Sequence, residues 1–581
     1  MNDLRYFSRY FKPYKTSFGL VVFSIFASVA ISLLTPRIIR EAINGLRHSS
    51  PQKLALQASM ILAITCASTA FMFLTRRLID ELSRNVVRDL RLDFYSLLQQ
   101  QPRSFFQQHS TSSLMARTTD GMESVRALAG QLIQNSLQTF FTVTLTVPLM
   151  LHISPYLTLL FFATVPPGFI GVHLFRNQVR ARLRKMNQLV DKMIEQLREN
   201  IMGVRVVRAY GREGLRASAF GELNEQIGEN VLRVARMNAL VQPLLQFFIG
   251  TGFVLNIWYG GTSIIRGEMT LGHFAEFNVY LLRIMYPLIS IGQVIRIFQQ
   301  GRVTLKLITK IMTEAPAIAD KPDVKEQPPI KGRIEFRNLS FSYHKDSEPV
   351  LHDINLVIEP GQTIAFVGRT GAGKTTLVSL IPRLLEAPEG SLFIDGRPIQ
   401  DFPLAQLRAS IGFVRQDLIL FSESLAENLA FGVEHANEAD LNWVLQMTGL
   451  DEDVKSFADG LKTVVGERGV TVSGGQRQRI GIGRAVLRRP RIVVFDDSFS
   501  ASDSATEARI LSQLREVVHD RTTLITAHRI STVAHADLIC LLENGTITEQ
   551  GKHHELLALG GEYASMYQQQ VLHAEFQQAY H

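Results

Sequence analysis

Six apolar stretches, each close to the length that crosses a lipid bilayer, fill roughly the first 300 residues of this chain, and they restrict its fold more than any other feature. They are approximately Ser17–Leu34, Leu54–Leu74, Leu132–Leu151, Tyr156–Phe175, Ala239–Tyr259 and Phe274–Phe298. A helix needs about 20 apolar residues to span the hydrocarbon core. Soluble helices rarely stay apolar on every face over that length, so the six are read as transmembrane helices rather than as a buried soluble bundle. The third is the least regular, because Gln131, Gln134, Asn135 and Gln138 enter its start.

Basic residues orient these helices. The formal charge of +8 could suggest nucleic acid, but the arginines and lysines crowd the segments that flank the apolar runs. The stretch 76–127 holds Arg76, Arg77, Arg84, Arg88, Arg91, Arg103, Arg117 and Arg126, and the stretch 176–236 is richer still. By contrast, 152–155 has no Lys or Arg and 260–272 has only Arg266. The basic segments and both termini are therefore expected on the cytoplasmic side, and no nucleic-acid partner is expected. The opening residues, with Arg5, Arg9, Lys12, Lys15 and several aromatic rings, read as an amphipathic helix on that face rather than as a cleaved signal.

Each basic segment is about 50 to 60 residues long without linker character, so it is read as a helical hairpin continuing out of the membrane. About 25 residues out, at 1.5 Å each, reach nearly 40 Å. The turns are expected around Pro102–Thr119 and Gly203–Gly211. The sixth span carries His273, Glu276, Asn278, Arg283, Gln293 and Arg296. An ionisable group at membrane depth usually faces a bundle interior or an aqueous path, and Arg283 is the candidate for such a role.

From 306 to 331 the chain turns polar and proline-rich, which reads as a linker between a membrane domain, 1–305, and a soluble domain, 332–570, followed by a tail, 571–581. The two cysteines, Cys66 and Cys540, fall one in each domain and are read as buried apolar thiols. The soluble domain is organised around Gly368-Arg369-Thr370-Gly371-Ala372-Gly373-Lys374-Thr375, a G-x-x-x-x-G-K-T loop. Its glycines let several N–H groups turn toward one centre and bind phosphates. Lys374 can reach the outer phosphates, and the Thr375 hydroxyl can ligate Mg²⁺. A strand-like run, Thr363–Val367, precedes the loop, and helical spacing follows it from Thr376. The apolar strand Ile492–Phe495 ends in Asp496 and Asp497, where a P-loop ATPase places the carboxylate that holds Mg²⁺. The expected fold is thus an all-α six-helix membrane domain with long cytoplasmic extensions, followed by an α/β P-loop ATPase domain using ATP and Mg²⁺.

Beyond the loop, Ser473-Gly474-Gly475-Gln476-Arg477-Gln478-Arg479 looks like the signature of ATP-binding cassette (ABC) transporters, and the resemblance covers nearly the whole chain. Tyr343 matches the aromatic that stacks on adenine, Gln416 the Q-loop, Gly466–Gly469 the segment that touches the cytoplasmic levers, Ser500–Asp503 the D-loop and His528 the switch histidine. Phe105-Phe106 and Val206–Glu213 are similar to the coupling regions of exporters with six spans per chain. The resemblance implies a half-transporter of the type IV exporter kind that works with a second half-transporter chain in a bacterial inner membrane. It implies that ATP is bound by one chain's Tyr343, phosphate loop and Thr376 together with the other chain's Ser473–Gln476. It also gives Mg²⁺ to Thr375, Gln416 and Asp496, and catalysis to Asp497, His528 and Gln416. The implied cargo is lipophilic or amphiphilic.

One departure is informative. The position after the Mg²⁺ aspartate is normally glutamate in this family, and here it is Asp497; Val472 and Ser502 also replace the usual leucines. The pattern resembles the member of a heterodimeric exporter that carries a degenerate site. The alternative is a homodimeric lipid flippase or peptide exporter that hydrolyses ATP with Asp497.

Overall fold

The computed structural model describes residues 2–46, 50–344, 347–466, 472–499 and 519–579, with Ser512 and Leu514. The chain forms two compact units, one of 1–96 and 112–314, the other of 97–111 and 315–581.

The first unit is helical. After a short helix, Asn2–Ser8, the helices Lys15–Ser32 and Leu34–Gly45 follow one another across Leu33. Next come the 50-residue Pro51–Gln100 and the helices Thr111–Ile153, Pro155–Met202, Glu213–Ile265 and Leu271–Met312. At 1.5 Å per residue Pro51–Gln100 is about 75 Å long, more than twice the thickness of the hydrocarbon core. Its second half cannot be in lipid, and its sequence changes to suit: Ile79, Leu82, Ser83, Val86, Val87, Leu90 and Phe94 form a buried stripe at three- and four-residue spacing. The two long excursions turn through the short helices Arg103–Gln108 and Val204–Ala209, inside the regions where the sequence places turns.

Among the described residues five helices are long and apolar enough to cross a membrane: Asp3–Gly45, Pro51–Gln100, Thr111–Ile153, Gln246–Ile265 and Leu271–Met312. The remaining expected span, Tyr156–Phe175, lies on the helix Pro155–Met202, where several side chains from Phe169 onward are outside the described residues. Two boundaries differ from expectation. The last membrane helix runs to Met312, so the expected linker begins in helix, because Leu305, Ile308 and Ile311 recur every third residue and are all buried. The C-terminal helix Glu562–Ala579 runs through most of the expected tail. Cys540 is buried but Cys66 is exposed, on a stretch of Pro51–Gln100 with few neighbours within the single chain.

A polar seam ties the first helices of this unit to the last. Glu276, 2% exposed, accepts from Arg40 at 3.1 Å and from the Tyr280 hydroxyl at 3.2 Å. Asn44 Oδ1 accepts from the Gly272 N–H at 3.0 Å, and Arg283 Nη1 donates to the Ser32 hydroxyl at 2.5 Å. Arg283 is thus engaged with a neighbouring helix. Removing one partner of a buried ion pair strands the other charge. Arg40→Ala is therefore expected to destabilise the protein by about 3 kcal/mol, and adding Glu276→Gln to recover most of it. Thermal unfolding in detergent checks this; an Arg40→Ala protein that melts like the wild type would show that the pair carries no net stability.

The second unit holds two sheets. The smaller is antiparallel, built from β1 (Ile334–Phe341), β2 (Leu351–Ile358), β4 (Leu392–Ile394) and β5 (Arg397–Pro398) in the order β2-β1-β4-β5. The larger contains β3 (Thr363–Val367), β6 (Ile411–Val414), β7 (Ile492–Asp496), β8 (Thr522–Ala527), β9 (Leu538–Glu543) and β10 (Thr546–Gly551) in the order β10-β9-β3-β8-β7-β6. All its pairings are parallel except β10 with β9. Side chains alternate between its faces: Ile364 and Phe366 join one apolar core, Ala365 and Val367 the other. Helices cover both faces, as a parallel sheet requires.

Candidate functional site

Register in the large sheet assembles the site. Val367 pairs with Ala527, Thr526 with Asp496, and Phe495 with Val414. Strands β3, β8, β7 and β6 therefore end in nearly the same row, and the next residues of each chain segment emerge on one edge. Those residues are Gly368 of the phosphate loop, His528, Asp497 and, two past β6, Gln416. In open α/β sheets ligands bind beyond the carboxyl ends of the strands, which is this edge.

Phosphate-loop geometry requires its glycines. Gly368 has φ +151°, and a Cβ there would collide with the carbonyl oxygen of Leu542. Gly373, at φ +99°, caps the helix Lys374–Leu380, and a Cβ there would stand 2.8 Å from Leu351 Cδ2. The loop then delivers Lys374 to a buried position, where Nζ donates to the carbonyls of Gly368 at 2.7 Å and Arg369 at 3.0 Å. Burial lowers the Lys374 pKa, and the nearby Asp497 and Asp496 partly restore it. A desolvated ammonium beside a glycine-rich loop and a helix start is suited to a polyphosphate. Arg369, Thr370 and Gly371 form the outer part of this loop.

Next to it, Asp496 Oδ1 accepts from the Thr375 hydroxyl at 2.8 Å and from the Thr526 hydroxyl at 2.8 Å. A hydroxyl and a carboxylate in contact are hard oxygen donors of the kind a divalent cation takes when phosphates supply further ligands. Among the described residues no cluster of three or more His, Cys, Asp or Glu side chains could hold a metal ion.

Asp497 is held differently. Its φ of +45° lies in the left-handed region, which Asp tolerates better than most residues. Its N–H donates to Thr526, at 3.1 Å to the carbonyl and 3.0 Å to the hydroxyl oxygen. Its Oδ2 accepts from Gln416 Nε2 at 3.0 Å. Burial raises the Asp497 pKa, Asp496 adds to the rise, and His528, Lys374 and the Gln416 bond oppose it. A raised value means the ionised form is lost at higher pH than for a free aspartate. If Asp497 orients water, the acidic limb of kcat/KM lies above the ordinary carboxylate range, and Gln416→Leu moves it further up by removing a donor to the ionised form. The pH profiles of the two proteins check this, and coincident limbs would show that another group titrates. For stability the sign is opposite to that of an ion-paired carboxylate. The folded state keeps its proton after the unfolded chain has lost it, so this group's contribution falls as pH rises through that window.

Ser473, Gly474, Gly475 and Gln476 open the helix Gly474–Leu487 with a reciprocal cap. The Ser473 hydroxyl accepts from the Gln476 N–H at 3.2 Å, and Gln476 Oε1 accepts from the Ser473 N–H at 2.9 Å. Gln476 Nε2 also donates to Asp453 at 2.8 Å. Ile480 and Leu487 of this helix pack in a third core with Leu425, Leu429 and Val444, while Ile482, Ala485 and Val486 of the same helix join a core that flanks the sheet. The helix that the signature opens therefore packs on both the sheet and the helical layer. Tyr343 is 49% exposed, and its hydroxyl lies 2.9 Å from that of Thr376, which places an open ring face beside the phosphate loop. Ser500–Asp503, including Ser502, and Glu467–Gly469 lie outside the described residues.

Two residues absent from the sequence reading belong here. Thr526 bridges Asp496 and Asp497, and a buried threonine at the last turn of a strand beside that acid is the only sequence signal for it. Gln570, on the C-terminal helix, donates to the His528 carbonyl at 2.7 Å and accepts from the Ile530 N–H at 2.9 Å, so it brackets the histidine loop. No sequence pattern points to that residue.

Comparisons with known proteins agree with this geometry. Residues 17–288 match the family described as ABC transporter transmembrane region, and residues 351–500 match the family described as ABC transporter. The chain is 31% identical over 569 residues to a probable multidrug resistance ABC transporter ATP-binding/permease protein of Bacillus subtilis, YheI, covering 97% of each. It is 34% identical over 493 residues to the ATP-dependent lipid A-core flippase of Syntrophus aciditrophicus, covering 85% of this chain and 82% of that one. Its fold is similar to the solved structure of a bacterial Atm1-family ABC exporter with ATP bound, with a TM-score of 0.81 and 23% identity over 96% of this chain and 98% of that one.

Proposed function

The chain belongs to the ABC transporters, with a membrane domain and an ATPase domain that couples hydrolysis to transport, and on that premise we propose that it is one half of a heterodimeric exporter whose own nucleotide site is slow. The cargo is a lipophilic or amphiphilic compound moved outward across a bacterial plasma membrane. That assignment is supported by relatives named as a multidrug resistance transporter and a lipid A-core flippase.

Asp497 carries the reading. It keeps the charge of the usual glutamate but is one carbon shorter, and its carboxylate is already engaged by Gln416 at 3.0 Å. Bound ATP with Mg²⁺ supplies the transferable phosphoryl group and the neutralising charge. The chain's own residues do the rest. Lys374 and the loop N–H groups bind phosphate, Thr375, Asp496 and Gln416 hold the cation, Tyr343 stacks on the base, and Asp497 and His528 orient water and the terminal phosphate. Ser473 and the N–H groups of Gly474 and Gly475, at a helix start, complete the partner chain's competent site.

The test is to reconstitute the chain alone in lipid and measure ATP hydrolysis, then to repeat the measurement with a second half-transporter chain that carries the usual glutamate. Turnover only in the pair is expected. Robust turnover by the lone chain, lost on Asp497→Asn, would overturn the proposal in favour of a working homodimer.

A further inference from the structure

The N-terminal segment forms a groove that the nucleotide chemistry described above does not use. Leu4, Phe7, Phe11 and Phe18 make one wall, and Leu128, Leu132 and Ile133, partway along the helix Thr111–Ile153 where its apolar span starts, make the other. The cavity measures about 370 Å³, within the range of small-molecule sites. Its aromatic wall is ordered by edge-to-face contacts, with ring centroids 5.4 Å apart for Phe7 and Phe11 and 6.5 Å apart for Phe11 and Phe18.

Polar atoms sit only at the rim. Lys12 and Lys15, both exposed, line it with Ser8, and no acidic side chain does. The nearby acids are engaged on the other edge of the segment: the Tyr10 and Tyr14 hydroxyls donate to Asp93 and Asp89, each at 2.8 Å. Those bonds fix which edge faces the groove. Among the described residues neither lysine has an ion pair. Their level follows from the sequence, since Lys15 directly precedes the first apolar span and Leu132 begins the third. Both spans start from the basic, cytoplasmic side.

We propose that this groove binds a phospholipid of the cytoplasmic leaflet with a net negative headgroup, one acyl chain lying between the phenylalanines and Leu128, Leu132 and Ile133, and the phosphate resting on Lys12 and Lys15. An apolar trough closed by two unpaired cations at headgroup depth has the pattern of such a lipid. Two lysines at an anionic headgroup correspond to roughly a 10- to 30-fold preference over a zwitterionic one.

The experiment uses the full chain, delipidated in a neutral detergent and titrated with phosphatidylglycerol or phosphatidylcholine, with bound lipids counted by native mass spectrometry. The expected result is one tight phosphatidylglycerol per chain with that preference. Lys12→Ala with Lys15→Ala should bring phosphatidylglycerol down to the phosphatidylcholine level, and Lys12→Arg with Lys15→Arg should keep it. Leu132→Trp, which fills the trough, should abolish tight binding of both lipids. Unchanged phosphatidylglycerol binding in the alanine variant or in Leu132→Trp would overturn the proposal, as would the absence of a tight site in the wild type. Unaltered melting temperatures of the variants show that folding is not the cause.

Discussion

Lengthening one side chain, Asp497→Glu, should raise the rate of hydrolysis at this chain's own nucleotide site on the order of 100-fold. The argument is geometric. The Asp497 backbone is fixed twice by Thr526, at 3.1 and 3.0 Å, so the carboxylate cannot advance by moving the main chain. An added methylene carries it about 1 Å further toward the terminal phosphate, and a misplacement of that size costs about two orders of magnitude in an oriented reaction. Single-turnover hydrolysis in the assembled transporter measures it. A glutamate variant no faster than wild type, with Asp497→Asn inactive, would mean that aspartate is already at working distance.

The second large effect is expected at the lysine. Lys374→Ala should weaken nucleotide binding by roughly 100- to 1000-fold, or about 3 to 4 kcal/mol, the worth of one or two charge-assisted hydrogen bonds in a desolvated place. Lys374 is 6% exposed and its ammonium rests on two loop carbonyls, so the charge it supplies is desolvated and fixed in place. Calorimetric titration with a non-hydrolysable ATP analogue checks this. A loss under tenfold would show that the loop N–H groups alone carry the phosphates.

Both residues were legible in the sequence because their chemistry is local. Eight consecutive residues build the phosphate loop, and the paired acids close a strand whose apolar run announces it. Membrane helices were legible for the same reason, although their ends were not. Leu305, Ile308 and Ile311 are too few to be read as helix against a proline-rich stretch that follows them. What escaped was non-local. Arg40 and Glu276 are 236 residues apart, and Gln570 meets the His528 loop across 42. A lone glutamine on a polar helix carries no mark of the loop it holds. Arg283 shows the converse, since its place in an apolar run is conspicuous while its partner, Ser32, is not.

The long helices differ in one respect that bears on mechanics. Thr111–Ile153 contains Pro148, Pro155–Met202 contains Pro166 and Pro167, Glu213–Ile265 contains Pro243, and Leu271–Met312 contains Pro287. Each interior proline removes a backbone hydrogen bond and gives its helix a soft point. Pro51–Gln100 has proline only at its first position, where none is lost. Under load, four of these rods can bend partway along while this one behaves as a stiff strut. Residues 97–100 at its end belong to the second unit, and under load the yielding falls to the other four helices rather than to this one.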